Sequence, residues 1–369
     1  MEIIKKVSLV IIAGMLFTSV ITSSCRKETA IATTRTIIER DTIQHAWQAE
    51  PGFNGQVQDV STANVANGVA FFNGSEEGFM TYDSAHNQWG HSILTGLTTP
   101  FVYSKPGVNK NFYASIKYTN NSVILLNPYV SSGLIEYNFF PKLLDTNFTS
   151  FPSLYPYYYI NSIDVTDSNR VIIPVITKDT AHSYVYVLDA SVNLTSVSNF
   201  HKITLDIYPH FIGQPTICHI GNRFLVTGIS ATSPNLPCTR LIREDFSVLQ
   251  IAQNDPFSYT FKYNGNYYAF SASGNIYKTS DLGETWSLQY TVSNYNMLIT
   301  NFDNNLIAIS QSQLWLVNFG STSISFKEIV NDGLAGKTIT GLVKCNNKVW
   351  VSTNGGVFYR PYANFYQYK

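Results

Sequence analysis

Charge is scarce in this sequence. Of 369 residues only 24 are Lys or Arg and 24 are Asp or Glu, 13% in all, where about 25% is usual. So sparse and balanced a set excludes the basic stripe of a nucleic-acid binder, and no nucleic-acid partner is expected. Cysteine is scarce too, with Cys25, Cys218, Cys238 and Cys345 making up the four. Three cysteines beyond Cys25 do not form a disulfide framework. Cys218 and Cys238 are read on strands that are not neighbours, as buried thiols. No Cys-x-x-Cys spacing, His-Glu-x-x-His string, phosphate loop or Gly-x-Ser-x-Gly elbow occurs, so neither metal nor cofactor is expected. A helical period of 3.6 residues nowhere persists for three turns after residue 24, which points away from a helical fold. Aromatic residues are abundant instead. Tyr (24) and Phe (23) lift the aromatic share to 14%, and the hydrophobic share of 44% excludes wholesale disorder.

Residues 1–24 read as a processing signal rather than as part of the fold. Lys5 and Lys6 precede an apolar stretch from Val7 to Ile21, which ends in Thr22-Ser23-Ser24-Cys25. The stretch is shorter than the ~20 apolar residues of a transmembrane helix. The arrangement resembles a bacterial lipoprotein signal, in which the cysteine after the cut is lipidated. Thr22 stands where such signals usually have an aliphatic residue. Ordinary secretion, with Cys25 incidental, is the other reading. Cleavage would remove Glu2, Lys5 and Lys6 and leave a net charge of −1. Residues 25–45 are polar and Thr-rich, and are read as the lipidated cysteine and a tether. The expected domain is 46–369.

A repeat runs through that domain. An apolar strand, an Asn/Gly-rich turn and a second β-rich run recur at Asn67-Gly68, Asn109-Lys110-Asn111, Ser168-Asn169-Arg170, Gly221-Asn222-Arg223, Gly265-Asn266-Tyr267, Asn304-Asn305-Leu306 and Asn346-Asn347-Lys348. Asn and Gly tolerate the positive φ of tight hairpin turns. The spacings, roughly 39–59 residues, bracket the length of a propeller blade, with longer loops in the second and third intervals. Each unit has room for four strands. The expected fold is all-β, a single β-propeller of about seven four-stranded blades, with six or eight as alternatives. A pair of sandwiches would also use short strands, but the even spacing and the lack of a linker favour one ring.

The fifth unit contains Thr279-Ser280-Asp281-Leu282-Gly283-Glu284-Thr285-Trp286. This string resembles the Asp-box of BNR-repeat propellers, Ser/Thr-x-Asp-x-Gly-x-Thr/Ser-Trp, at all five defining positions. The resemblance implies a structural turn between third and fourth strands, on the end of the ring opposite the usual binding mouth. It assigns Thr279, Asp281, Gly283, Thr285 and Trp286 to that turn. A degenerate copy lies at Thr81-Tyr82-Asp83 with Trp89, and Asp189 and Asp245 fall at similar turns. With the signal, the whole resembles a Bacteroidetes-type propeller lipoprotein. Asp41-Thr42-Ile43, Asp83-Ser84-Ala85 and Asp179-Thr180-Ala181 resemble the O-glycosylation acceptor of such bacteria, which marks Thr42, Ser84 and Thr180.

Sialidases share the Asp-box and grip a carboxylate with three arginines. After the tether only Arg170, Arg223, Arg240, Arg243 and Arg360 remain. Arg170 and Arg223 fall in first-to-second strand turns, on the wrong end, so no sialidase constellation is found and no catalytic residue is assigned. Acids on mouth-side loops are Asp145, Asp179, Asp206, Asp255 and Asp332, read as solvated loop residues. The mouth side is aromatic, with Phe148, Phe151, Tyr155, Tyr157, Tyr158 and Tyr159 in one connection and Tyr208, His210 and Phe211 in the next. Tyrosine offers flat contact area and a hydroxyl, which suits a sugar or a protein. Lys178, Asp179 and His182 are candidates for the same mouth. The expected function is a lipid-anchored, non-catalytic module on the outer membrane, facing the periplasm or the cell surface, that binds a glycan or an envelope protein. A propeller-type hydrolase or lyase and an envelope scaffold are the alternatives.

Overall fold

The computed structural model describes residues 46–369 apart from 51–59, 67–68, 75–77, 84–87, 94–106, 109–112, 118–120, 131–132, 153–162, 180, 192–194, 208–215, 233–235, 253–254, 294–295 and 322. Trp47–Lys369 form one compact unit; of the other, Met1–Ala46, only Ala46 is described.

The unit is an all-β propeller. Among the described residues seven antiparallel sheets follow one another along the chain. Blade 1 is Val60–Ala66, Val69–Gly74, Gly78–Asp83 and Gln88–Ile93, and blade 2 is Gly107–Val108, Tyr113–Lys117, Ser122–Val130 and Gly133–Phe139. Blade 4 is Thr216–Ile220, Arg223–Ile229, Pro237–Ile242 and Val248–Ile251. Blade 5 is Phe257–Tyr263, Asn266–Ser271, Asn275–Thr279 and Ser287–Thr291, and blade 6 is Leu298–Phe302, Asn305–Ser310, Gln313–Phe319 and Ile324–Ile329. Each blade contacts the next, and the first strand of blade 1 contacts Ile339–Cys345 of blade 7, which closes the ring.

Two blades depart from the simple pattern. Blade 7 has only Ile339–Cys345, Lys348–Thr353 and Gly356–Pro361 from the C-terminal part of the chain. Its outer strand is Gln48–Ala49, which pairs with Phe358 and Tyr359. The sequence repeat placed four strands in each unit; here the fourth comes from the far end of the chain, and the pairing locks first blade to last. In blade 3 the first strand is split. Phe148–Ser150 and Asp164–Val165 both pair with Arg170–Thr177, at its end and its start, and neither pairs opposite Ile173–Val175. Pro174 sits in that gap. Arg170 O accepts from Thr166 N–H and Lys178 N–H donates to Asn147 O, both toward the first strand. Strand alternation then points the position of Pro174's missing N–H to the same open edge, where no ladder bond is lost. Ser183–Ala190 and Val197–Leu205 complete this blade.

The second strands carry the core. Arg170–Thr177, Asn305–Ser310 and Lys348–Thr353 each bury four or more consecutive residues. Such a strand has a neighbouring blade against each face, so its apolar run is continuous instead of alternating. Outer strands are mostly exposed, as in Ser287–Thr291. The first-to-second turns use the left-handed backbone at Asn169 (φ 67°), Asn264 (φ 47°) with Gly265 (φ 78°), Asp303 (φ 54°) and Asn346 (φ 54°). The turns at 67–68 and 109–111 lie outside the described residues. Cys218, Cys238 and Cys345 are free and buried; Cys218 and Cys238 lie on strands separated by Arg223–Ile229.

Candidate functional site

Antiparallel strands put first-to-second and third-to-fourth turns at one end of the ring, called here the turn end. Second-to-third turns and blade-to-blade connections lie at the other, the connection end.

At the connection end, carboxylates on incoming connections are held by the third strand of the blade they lead into. Tyr186 donates to Asp145 Oδ2 at 2.7 Å. Arg240, 4% exposed, reaches Asp206 Oδ2 at 3.2 Å and its carbonyl at 3.0 Å. Asp255 accepts from Ser273, Asn275 and Tyr277 at 2.8, 2.9 and 3.1 Å. In blade 7 the charge of Asp332 acts on the buried guanidinium of Arg360, whose pKa burial lowers to about 10. For Asp145 and Asp255 the reading as solvated loop residues is therefore corrected, while Asp206 remains 53% exposed beside Arg240. Asp145, Asp206 and Asp255 each fasten a connection, and in blade 7 Arg360 does so through Val330 O at 2.7 Å, because a long loop crossing between blades needs a polar anchor of its own.

Blade 3 gathers the largest cluster. Asp145 also accepts from Lys202 Nζ at 2.9 Å and Asn147 N–H at 2.8 Å. Burial pulls its pKa up, and the bonds from Lys202, Tyr186 and Asn147 outweigh that and lower it. Lys202 also lies 4.4 Å above the Tyr184 ring. Tyr184 donates to Asp179 Oδ2, which His182 Nδ1 approaches at 2.9 Å, and Ala181 N–H reaches Asp179 Oδ1 at 2.8 Å. The Tyr184 bond leads in lowering the Asp179 pKa, followed by those from Ala181 and His182, and the same bond raises that of Tyr184. Asp179 and His182 are thus one network, while Lys178 places its backbone N–H on Asn147. Tyr155, Tyr157, Tyr158, Tyr159, Tyr208, His210, Thr42, Ser84, Thr180 and Cys25 lie outside the described residues.

Phe148 and Phe151 are not mouth residues. They are 3% and 2% exposed and pack in the core of blade 3. The connection exposes different apolar residues: Phe140 (38%), Leu143 (81%) and Leu144 (50%), around the short 3-10 turn Pro141–Leu143. Their sequence signal was three apolar residues flanking a proline with no strand alternation.

At the turn end, Arg170 and Arg223 occupy the same position in successive blades and do the same work. Arg170 pairs with Asp189 at 2.9 Å, reaches Glu244 O at 3.1 Å and covers Phe246 at 4.7 Å. Arg223 reaches Glu284 at 3.1 Å and the carbonyls of Asp281 and Leu282. Each clamps the third-to-fourth turn of the next blade.

The turn in blade 5 is tightly wired. Asp281 accepts from Thr279 Oγ1 (2.8 Å), Thr285 N–H (2.9 Å) and Thr285 Oγ1 (2.6 Å). Gly283 N–H donates to Thr279 Oγ1 at 3.0 Å, and Trp286 Nε1 donates to Gly283 O at 3.0 Å. Gly283 has φ +91°, which favours glycine, and an added Cβ would stand 3.1 Å from Ile220 of blade 4. Asp245 makes a shorter version, accepting from Ser247 N–H and Oγ.

No family model matches the chain, and no curated protein matches it. Solved structures similar to it include the RRP9 WD40 repeats, at 10% identity and TM-score 0.51, covering 85% of this chain and 98% of that one. YCF48 bound to D1 peptide gives 10% and 0.48, covering 85% and 94%. PorZ, described as an essential bacterial surface component of the type-IX secretion system of the human oral Porphyromonas gingivalis, gives 11% and 0.49. That match covers 88% of this chain and 39% of PorZ, so the chain spans about two fifths of PorZ's length. At such identities the likeness to the WD40 repeats bears on the fold alone: it is that of a β-propeller.

Proposed function

We propose that the protein is a lipid-anchored, Asp-box-type propeller of a bacterial envelope, held in the outer membrane through Cys25. In this reading it binds a partner protein at the connection end of blade 3 without chemical turnover. The observation that carries the reading is the pairing of exposed Phe140, Leu143 and Leu144 with the adjoining network of Asp145, Lys202, Tyr184 and Asp179. An apolar centre beside fixed polar groups is the make-up of a protein interface. The carboxylates at this end are engaged in fastening connections, which supports binding over hydrolysis.

The test uses the chain lacking residues 1–24 with Cys25→Ser, as bait on envelope extracts, beside a glycan array and a screen of carbohydrate substrates. A partner protein lost on Leu143→Asp, with the melting temperature unchanged, supports the reading. Turnover of a carbohydrate overturns it in favour of a hydrolase or lyase. Glycan binding lost on the same substitution reassigns the face to a sugar. Palmitate labelling equal in wild type and Cys25→Ala would refute the anchor.

A further inference from the structure

Blade 5 carries a cavity of about 360 Å³ beside the Thr279–Trp286 turn, lined by Lys278, Ser280, Thr285, Trp286, Ser287 and Gln289. Trp286 is its aromatic wall. Its indole is fixed on two sides, by the bond from Nε1 to Gly283 O and by Phe257, whose ring centroid is 4.8 Å away. A platform held in this way needs no ordering when a ligand arrives.

The polar groups around it are unevenly engaged. Ser287 Oγ donates to Lys278 O and accepts from Gln289 Nε2. Gln289 Nε2 also donates to Leu288 O, which turns the amide's donors back onto the strand. Thr285 Oγ1 donates to Asp281 and keeps its lone pairs. Among the described residues neither Lys278 Nζ nor Ser280 Oγ has a partner. The lining contains no carboxylate, and both oxygens of nearby Asp281 are turned to Thr279 and Thr285. Among the described residues Lys278 is therefore the cavity's one charge and has no counter-ion.

The backbone is also altered here. Ile276 pairs with Tyr290 and Tyr277 with Leu288, so Gln289 is an extra residue in the outer strand. Such a bulge re-aims side chains, and here it belongs to a residue that lines the cavity.

We propose that this groove binds an acidic saccharide. The C–H face of a pyranose ring lies against Trp286, its carboxylate meets Lys278, and its hydroxyls meet Ser280, Thr285 and the Gln289 carbonyl. A volume of this size suits one or two sugar rings. An apolar face with a few placed polar groups suits such rings better than a hydrophobic ligand. The site is on blade 5 and is independent of the partner face on blade 3.

The test is calorimetric titration of the full chain in detergent with tri-galacturonate, with maltotriose as the neutral control. Tri-galacturonate is expected to bind with a Kd of about 1 mM or tighter, and maltotriose roughly two- to fivefold more weakly. Lys278→Gln is expected to weaken tri-galacturonate roughly two- to fivefold, to the level of maltotriose, and Gln289→Ala several-fold. Trp286→Phe, checked by circular dichroism, keeps a ring in place and is expected to bind more weakly. Absence of binding to both tri-galacturonate and a hyaluronan tetrasaccharide overturns the proposal. So does equal binding of maltotriose, or a folded Lys278→Gln that binds as wild type.

Discussion

His219 Nδ1 lies 2.9 Å from Asp164 Oδ2, joining the first strand of blade 4 to the short second half of the split first strand in blade 3. The charge of Asp164 raises the His219 pKa, and partial burial works against that rise. A folded pKa above the unfolded value of about 6.5 means stability that is fully present below about pH 6.5. It is lost as pH rises through the raised folded value. The melting temperature of wild type should therefore exceed that of His219→Gln most at acidic pH, with the gap closing toward pH 9. A gap that stays constant across the range would show that the pair contributes no pH-dependent stability.

Asp281 gives the opposite sign. Burial pulls its pKa up, but the bonds from Thr285 and Thr279 prevail and hold it at about 2. Its contribution is present above the unfolded value of about 3.9 and is lost as pH falls through about 2. Asp281→Ala frees three donors in a turn that Arg223 clamps from the preceding blade. A loss of about 1–3 kcal/mol is expected in urea denaturation at pH 7. The difference from wild type should shrink between pH 4 and 2.

Trp47 seats the N-terminal strand of blade 7 in the core. It is 3% exposed, with Phe365 edge-on at 6.2 Å and the Arg360 guanidinium 5.3 Å from its ring. Its backbone N–H donates to Asp332 O at 2.8 Å. Trp47→Ala should cost about 3–5 kcal/mol. Limited proteolysis should then cut first in blade 7, whose outer edge is tied to the N-terminal side through Gln48–Ala49 and the bond from Glu50 N–H to Val357 O. Cleavage that begins in blades 4 or 5 would show that closure is held elsewhere.

The C-terminus adds a second fastening on the same side. Val330 N–H donates to Gln367 O and Lys369 N–H to Glu328 O, laying the last residues along the outer strand of blade 6. Nothing in the sequence of Tyr366–Lys369 marks it as an edge strand, because four residues are too few to show a period.

What was legible in the sequence was what neighbouring residues settle among themselves. The Asn/Gly turns recur because each needs a left-handed residue where one strand meets the next, and five of those turns are seen in blades 3 to 7. The β-rich runs after those turns, such as Val171–Ile173 and Val349–Val351, marked the second strands, and the spacing of the turns pointed to a ring of about seven blades. The equivalent places of Arg170 and Arg223 in two successive turns were also readable, although the groups they clamp were not.

What only the tertiary structure decided joins residues far apart in the chain. It supplied the outer strand of blade 7 from Gln48–Ala49, because a ring has to be sealed between its two ends. It split the first strand of blade 3 around Pro174, turned loop carboxylates such as Asp206 into anchors for Arg240, and buried Phe148 while exposing Leu143. Local sequence specifies backbone conformation through sterics and hydrogen-bonding capacity. Which carboxylate meets which cation depends on how the blades twist and stack, and that is settled by the packing of the whole ring.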